Sequence, residues 1–212
     1  KYIGSPQEWE EVQGRMRQIL DDLNIDYKEA SGEAAFYGPK LDIQIKNVHG
    51  KEDTLITIQI DFQLAERFGM TYVDAEGQTK YPYVIHRTSI GCYERTLALL
   101  LEKYAGALPT WLMPEQVRVL PISDRLIDDA KKVEEQLSRA GIRVSCDTRS
   151  EKVGYKIREA QLEKIPYMLV IGDKEVEEGT VSVRSHKEGD LGSMPVEGFL
   201  SKILQEIATK AK

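Results

Sequence analysis

Hydrophobic residues near the start of the chain recur at the spacing of one helix face. The segment Ser5-Pro6-Gln7-Glu8 carries a helix N-cap, a proline at the first helical position and a capping-box glutamate. The apolar positions after it keep a period close to 3.6 residues and predict a single helix that ends near Asn24. These positions are Trp9, Val12, Met16, Ile19, Leu20 and Leu23.

Alternation of apolar and polar residues replaces the helical period after this helix. Residues 41–45 and 55–62 both alternate, and a turn at residues 47–51 separates them. This pattern predicts an antiparallel hairpin. A further apolar run, 83–85, follows a turn at 75–77 and predicts a third strand. Antiparallel strands accompanied by helices indicate an α+β fold for this half of the chain.

The second half alternates between the strand and helix periods. Glycine and proline in the segment 106–114 mark a boundary, so we predict two domains, 1–114 and 115–212. Strands alternating with helices indicate an α/β domain with a mixed, mostly parallel sheet. The predicted strands are 117–122, 142–146, 167–171 and 180–185, and the predicted helices are 126–137, 153–165 and 196–207.

Composition is that of an ordinary soluble protein, with 41% hydrophobic and 30% charged residues. No apolar run approaches the roughly 20 residues that cross a bilayer, and no signal peptide opens the sequence. The two cysteines lack C-x-x-C spacing, which argues against a disulfide framework and favours a reducing cytoplasm. The net charge of -6 argues against a protein that holds nucleic acid mainly by bulk electrostatics.

The segment 84–95 carries the strongest chemical signal. It predicts a buried strand that turns through Gly91 into an apolar helix, with His86, Arg87, Glu94 and Arg95 at the junction. Backbone donors and a helix N-terminus meet at such junctions, and arginines there are costly to desolvate without a partner. An anionic ligand such as a nucleotide would supply that partner. The alternative is a salt bridge between Glu94 and Arg95, the more common arrangement for an isolated pair.

Gly91, Glu94 and Arg95 before an apolar helix resemble the third signature motif of class II aminoacyl-tRNA synthetases. The other informative strings are Phe36-Tyr37-Gly38-Pro39-Lys40, Thr57-Ile58-Gln59-Ile60-Asp61-Phe62, Glu66-Arg67-Phe68, Ile85-His86-Arg87, Tyr104-Ala105-Gly106 and Pro109-Thr110-Trp111-Leu112. Together with that motif they resemble the threonyl-tRNA synthetase family over essentially the whole chain. The resemblance implies the C-terminal part of the class II catalytic domain in 1–114 and an anticodon-binding domain in 115–212.

The resemblance implies a set of active-site roles in the first half. Arg95 is expected to contact ATP, Gly91 to leave room for the nucleotide, and Glu94 to lie beside it. Tyr37 and Lys40 are expected to contact substrate or adenylate. Lys40, Gln59 and Arg95 are the expected catalytic residues, with Gln59 on the floor of the site. The alternative for Lys40 is a solvated loop lysine beside a packed tyrosine, Tyr37. The alternative for Gln59 is a glutamine that faces solvent.

His86 is the expected metal ligand. In the family a histidine of this string is one ligand of a zinc ion that binds threonine, and a cysteine and another histidine are expected upstream of this chain. Zinc at such a site needs three protein ligands and an open position. Neither His49, in a turn, nor His186, in the other half, is a credible second ligand. The alternative for His86 is an ordinary hydrogen-bonded histidine at a strand end.

The resemblance also implies an RNA-binding surface in the second half. Lys152, Arg158, Glu175 and Arg184 match family positions at the tRNA anticodon. Such surfaces read splayed single-stranded bases by stacking and by hydrogen bonds to their edges. The alternative is solvated charge on helix and turn surfaces.

The activity that the resemblance implies is that of a threonine–tRNA ligase using ATP, Mg²⁺ and Zn²⁺, with threonine and tRNA(Thr) as substrates. The intact family enzyme is expected to be a cytoplasmic homodimer. Because the first two class II motifs have no counterpart in these residues, we expect the chain alone to be inactive and still to bind the anticodon. The alternatives are a noncatalytic RNA-binding or interaction module derived from an anticodon-binding domain, and a stable fold that binds no RNA.

Overall fold

The structure, a computed structural model, describes residues 2–211, and the chain divides into two compact units, Lys1–Leu99 and Leu100–Lys212. The helices are α1 (Pro6–Asp22), α2 (Leu64–Arg67), α3 (Tyr93–Lys103), α4 (Ile127–Arg139, after a 3-10 turn at Asp124–Leu126), α5 (Val153–Leu162), α6 (Asp173–Glu178) and α7 (Val196–Thr209). The strands are β1 (Lys40–Lys46), β2 (Glu52–Asp61), β3 (Tyr72–Val73), β4 (Thr79–Lys80), β5 (Val84–Arg87), β6 (Val117–Pro121), β7 (Val144–Cys146), β8 (Tyr167–Ile171), β9 (Thr180–Ser185) and β10 (Gly189–Pro195).

The predicted first helix is confirmed at its start and within two residues at its end. The Ser5 hydroxyl accepts a hydrogen bond from the Glu8 amide, and the Glu8 carboxylate accepts one from the Ser5 amide. This reciprocal pair is the capping box that the sequence predicts. The helix ends at Asp22, and Asn24 takes a left-handed φ of 52°.

The sheet of the first unit has β2 at its centre. β1 and β5 pair with β2 on either side, both antiparallel, so the predicted hairpin and third strand are confirmed. A register shift between Ile43 and Gln44 interrupts the pairing of β1 with β2 near the connecting turn. The short β3–β4 hairpin and α2, which were not predicted, lie between β2 and β5 in the chain.

The second unit contains a five-stranded sheet in the order β10-β9-β8-β6-β7. β6 runs parallel to β7 and β8, whereas β9 pairs antiparallel with β8 and with β10. The predicted mixed α/β sheet is confirmed. β10 and α6 were not predicted, and β10 contains Gly189, Gly192 and Pro195, residue types that are depleted in strands.

Hydrophobic side chains cover both faces of this second sheet. Alternate residues of β6, β8 and β9 pack with α4 and α7 in one cluster, which includes Val119, Leu169 and Phe199. Leu120 and Met168 point to the other face and pack with Ala160 of α5. The sheet therefore has an α4–α7 face and an α5 face. None of the helices within residues 2–211 combines the length and the apolar character that crossing a bilayer requires.

Candidate functional site

The register of the first sheet brings predicted residues from separate strings together. Lys40 of β1 lies opposite Gln59 of β2, and Gln59 lies opposite His86 of β5. Directly opposed residues of antiparallel strands project from the same face. Tyr37, just before β1, donates a hydrogen bond from its hydroxyl to Gln59 Oε1, and its ring centroid lies 6.2 Å from that of His86. The structure therefore places these four side chains on one surface, which we call the polar sheet face.

Close backbone packing positions Tyr37 over this face. The amides of Ile60 and Phe62 donate to the carbonyls of Pro39 and Tyr37 at 3.0 and 2.9 Å. A Cβ on Gly38 would lie 1.7 Å from the Ile60 carbonyl oxygen, so only glycine permits this approach. The Gly-Pro turn thus serves to hold the tyrosine against β2.

Lys40 is paired within the polar sheet face. Its Nζ lies 2.6 Å from Asp42 Oδ2, and the other oxygen of Asp42 accepts a hydrogen bond from the Thr57 hydroxyl at 2.9 Å. The Lys40 side chain is 28% exposed, which differs from a freely solvated loop lysine. The sequence prediction omitted Asp42 and Thr57. Their alternation with apolar residues along β1 and β2 was the signal that could have found them.

Asp61, also missed, is the partner of His86. Asp61 Oδ2 lies 3.0 Å from His86 Nε2, and Oδ1 accepts hydrogen bonds from the amides of Gln63 and Leu64. Burial alone would raise the pKa of Asp61, but the His86 and backbone hydrogen bonds together hold that pKa below its usual range. His86 is therefore hydrogen-bonded at a strand end, as its alternative interpretation states, and this bond uses only one ring nitrogen.

The described residues do not form a zinc site by themselves. Across residues 2–211, no group of three or more His, Cys, Asp and Glu side chains is placed to hold a metal ion. Structural and catalytic zinc sites use at least three such ligands. His86 can supply one nitrogen at most from this part of the chain, and its role as a zinc ligand stays a prediction.

Arg95 lies at the first turn of α3 and contacts β2. Its Nη1 donates to the Thr54 carbonyl oxygen at 2.8 Å. The Glu94 carboxylate instead accepts a hydrogen bond from the Cys92 thiol. Among residues 2–211 there is no Glu94–Arg95 ion pair, so that alternative is not what the structure contains. Thr54, where Arg95 is bonded, and Gln59 are five residues apart on β2, which is about 16 Å of strand. A ligand that contacts both Arg95 and Gln59 must therefore be extended.

Gly91 is required by the protein's own backbone. Its φ is +67°, and a Cβ there would lie 2.1 Å from the Leu55 carbonyl oxygen. The sequence prediction assigned this glycine to making room for a nucleotide. The geometry supplies a different reason, the close approach of the β5–α3 loop to β2, and leaves the nucleotide contact as a prediction.

The predicted RNA-binding residues of the second unit include two exposed cations. Lys152 precedes α5 as its N-cap residue, and Arg158 lies on the exposed side of α5. Neither has an ion-pair partner within the described range 2–211. Their neighbour Arg149 is internally engaged, because it forms two hydrogen bonds to Asp147 and an ion pair to Glu159. The hydrogen bonds from Arg149 hold the pKa of Asp147 below its usual range.

The other two predicted RNA-binding residues have local partners. Glu175 accepts a hydrogen bond from the Gly172 amide at the start of α6, beyond the carboxyl end of β8. Arg184 of β9 pairs with Asp190 across the hairpin at 3.1 Å. Because Arg184 alternates with the buried Val183, its side chain projects from the α5 face, the same side as Arg158.

Comparisons with known proteins agree with this architecture. Residues 4–104 match the family model of the tRNA synthetase class II core domain (G, H, P, S and T), and residues 116–206 match that of the anticodon binding domain. Threonine–tRNA ligase of Clostridium perfringens strain 13 is 64% identical over 210 residues, which is 99% of this chain. The enzyme of Clostridium botulinum strain Eklund 17B is 60% identical over 212 residues.

A solved structure extends the comparison to the fold. The RNA binding domain of threonyl-tRNA synthetase from Cryptosporidium parvum Iowa II superposes with a TM-score of 0.87 at 36% identity, covering 97% of this chain and 52% of that one. The chain spans 33% of the length of the two clostridial relatives. It belongs to the threonyl-tRNA synthetase family of class II aminoacyl-tRNA synthetases, and carries class II core and anticodon-binding sequence in that order.

Proposed function

We propose that this chain serves in a threonine–tRNA ligase, which activates threonine with ATP and transfers it to tRNA(Thr). The observation that carries the proposal is the polar sheet face, where Tyr37, Lys40, Gln59 and His86 converge from three separate segments. The relatives named for this reaction support it. Magnesium, a homodimeric assembly and a cytoplasmic location belong to the same proposal.

Positioning and charge are the means by which these residues would act. Lys40 and Arg95 are cations that can pair with carboxylate or phosphate oxygens, and Tyr37 and Gln59 offer hydrogen bonds beside them. Holding two reactants in place and stabilising developing charge account for large rate enhancements without a covalent protein intermediate. We assign Gly91 and Glu94 to the nucleotide contact and Gln59 to the floor of the site.

For zinc, the proposal is limited to His86. When bound in the family site, zinc would hold the amino and hydroxyl groups of threonine. Residues 2–211 supply no complete ligand set, so His86 would contribute one nitrogen and the remaining ligands would come from elsewhere.

For RNA, we assign the anticodon contact to the second unit. Arg158 and Arg184 share the α5 side of the sheet, and Lys152 and Glu175 lie near the carboxyl ends of its parallel strands. Ligands of α/β sheets collect at that edge. Base stacking on arginine and hydrogen bonding to base edges are the contacts that this surface offers.

A chimaera tests the catalytic part of the proposal. This chain replaces the aligned third of the Clostridium perfringens enzyme, and aminoacylation of tRNA(Thr) is measured. We expect activity in the chimaera and a loss of roughly 100-fold or more in kcat/KM with Arg95→Ala, since one lost charge-stabilising donor typically costs that much. The isolated chain is the negative arm and should show negligible threonine-dependent ATP–pyrophosphate exchange.

Arg15→Ala is the matched control, because Arg15 lies on α1 and pairs with Glu11 at the surface. Circular dichroism confirms folding of each variant. A chimaera in which Arg95→Ala is as active as Arg15→Ala would contradict the role of Arg95. A folded chimaera without activity would contradict the catalytic proposal as a whole.

A second candidate function is a noncatalytic RNA-binding module. Its support is that the second unit has its own hydrophobic core and its own family match. The experiments distinguish the two candidates. An inactive chimaera together with specific RNA binding by the 212-residue chain would favour the noncatalytic module.

RNA binding is measured by titrating the chain with a threonine-acceptor anticodon stem–loop and with a scrambled loop at one stated salt concentration. We expect preference for the cognate loop, and a loss of about fivefold or more with Arg158→Ala or Arg184→Ala. Arg139→Ala, on α4 and therefore on the opposite face, should leave affinity unchanged. Equal weak binding of both loops would count against either RNA-binding candidate.

A further inference from the structure

Asp61 is held in place by three hydrogen bonds at the last position of β2. Its side chain is only 8% exposed. Oδ1 accepts from the backbone amides of Gln63 at 2.8 Å and Leu64 at 2.9 Å, and Oδ2 contacts His86 Nε2 at 3.0 Å. Because the two amides belong to the backbone, they fix both the place and the orientation of the carboxylate.

This geometry determines which nitrogen of the His86 ring carries the proton. A neutral imidazole has one N–H donor and one lone-pair acceptor, whereas an ionised carboxylate can only accept. Two backbone donors on Oδ1 favour the ionised form of Asp61. The hydrogen bond at Oδ2 therefore requires a proton on Nε2, which leaves the lone pair on Nδ1. The neighbouring Tyr37 ring lies edge-on to the imidazole, with the two ring centroids 6.2 Å apart.

We propose that Asp61 is a positioning residue that holds His86 in the Nε2–H tautomer, so that Nδ1 is the atom presented to a ligand. Partners of this kind set the tautomer and ring orientation of ligand histidines. The proposal rests on the proposed function only in treating His86 as a ligand-binding residue. The tautomer itself follows from the contacts of Asp61.

The isosteric variant Asp61→Asn makes a sharp prediction. An asparagine can keep its oxygen on the amides of Gln63 and Leu64, and its NH₂ group then faces His86 Nε2. Because that NH₂ group donates, Nε2 must become the acceptor and the single ring proton must reside on Nδ1. The variant therefore inverts the tautomer without removing the side chain or the contacts of α2.

The test is a long-range ¹H–¹⁵N correlation spectrum of the ¹⁵N-labelled chain at about pH 8, above the ordinary histidine pKa of about 6.5. The chain has three histidines, so the signals missing from His86→Gln assign the ring. We expect Nε2 protonated and Nδ1 unprotonated in the wild type, and the reverse in Asp61→Asn. Asp42→Asn is the matched control, because Asp42 lies on the same face and contacts Lys40 rather than His86.

A wild-type spectrum with a proton on Nδ1 overturns the proposal, and so does an unchanged tautomer in folded Asp61→Asn. Inversion in Asp42→Asn also overturns it, since the effect would then not be specific to Asp61. If Asp61→Asn does not fold, the wild-type spectrum decides alone. The NMR test includes no aminoacylation measurement, so its result is independent of whether the chimaera is active.

Discussion

Replacing Gly91 by alanine should destabilise the first unit far more than the same replacement at an open glycine. Gly91 has φ +67°, and an added Cβ would lie 2.1 Å from the Leu55 carbonyl oxygen. Gly69 is the matched control, because its φ is +63° and no heavy atom lies within 4 Å of its Cβ position. Both variants therefore carry the same backbone penalty, and only Gly91→Ala adds a steric one.

The expected magnitudes follow from these two terms. A left-handed conformation costs a non-glycine residue about 1–2 kcal/mol, which is the whole expectation for Gly69→Ala. Forcing extra volume into a packed site adds about 1–3 kcal/mol. The clash in Gly91→Ala is with the backbone of β2, the central strand, so no side-chain rotation relieves it. We expect a total loss of about 2–5 kcal/mol.

The two tryptophans allow the measurement, because Trp9 lies in the first unit and Trp111 in the second. In a Trp111→Phe background, urea unfolding followed by Trp9 fluorescence reports the first unit. A loss in Gly91→Ala no larger than that in Gly69→Ala would refute the argument. It would show that the β5–α3 loop can move away from β2 at little cost.

Three further predictions concern the second unit and the thiols. Hydrogen bonds from Arg149 lower the pKa of Asp147 in the folded state. The stabilisation that ionised Asp147 contributes is therefore present above the unfolded pKa of about 3.9 and is lost as pH falls through the folded pKa. Asp147→Asn should lower the free energy of unfolding at neutral pH and flatten the acid limb of its pH profile. Burial raises the pKa of the Cys146 thiol to about 11, whereas Cys92 is exposed. Iodoacetamide at about pH 8 should therefore label Cys92 first in the native chain. Equal labelling rates by peptide mass spectrometry would contradict this. Phe199→Ala removes a fully buried ring and should lower the free energy of unfolding by about 3–5 kcal/mol. Urea unfolding followed by Trp111 fluorescence in a Trp9→Phe background measures this loss. Leu204 is 39% exposed, so Leu204→Ala should cost much less, and similar losses in the two variants would contradict the packing described.

Local sequence signals were reliable where neighbouring residues decide the structure. The capping box at Ser5 and Glu8 and the alternating hairpin both formed as predicted, since each depends on contacts within a few residues or on one strand period. β10 was missed because its glycines and proline disfavour a strand, and pairing with β9 overrides that preference. The boundary at residue 114 stays a prediction: the compact units divide after Leu99, and the family models leave residues 105–115 between them.

The candidate site shows the same division between local and tertiary information. The strings around Tyr37, Gln59 and His86 identify residue types and family, and they are readable because each is short and contiguous. That Asp61 holds His86 and that Arg95 bonds to a β2 carbonyl follow only from strand register and loop packing, whereas the Lys40–Asp42 pair joins residues two apart on β1. Register joins residues about 20 to 45 positions apart, and no local pattern encodes which polar side chain will meet which partner across a sheet. Sequence alone therefore determined most of the elements and the family of this protein. The tertiary structure decided which side chains from different strands share a hydrogen bond, because such contacts depend on pairing between distant strands.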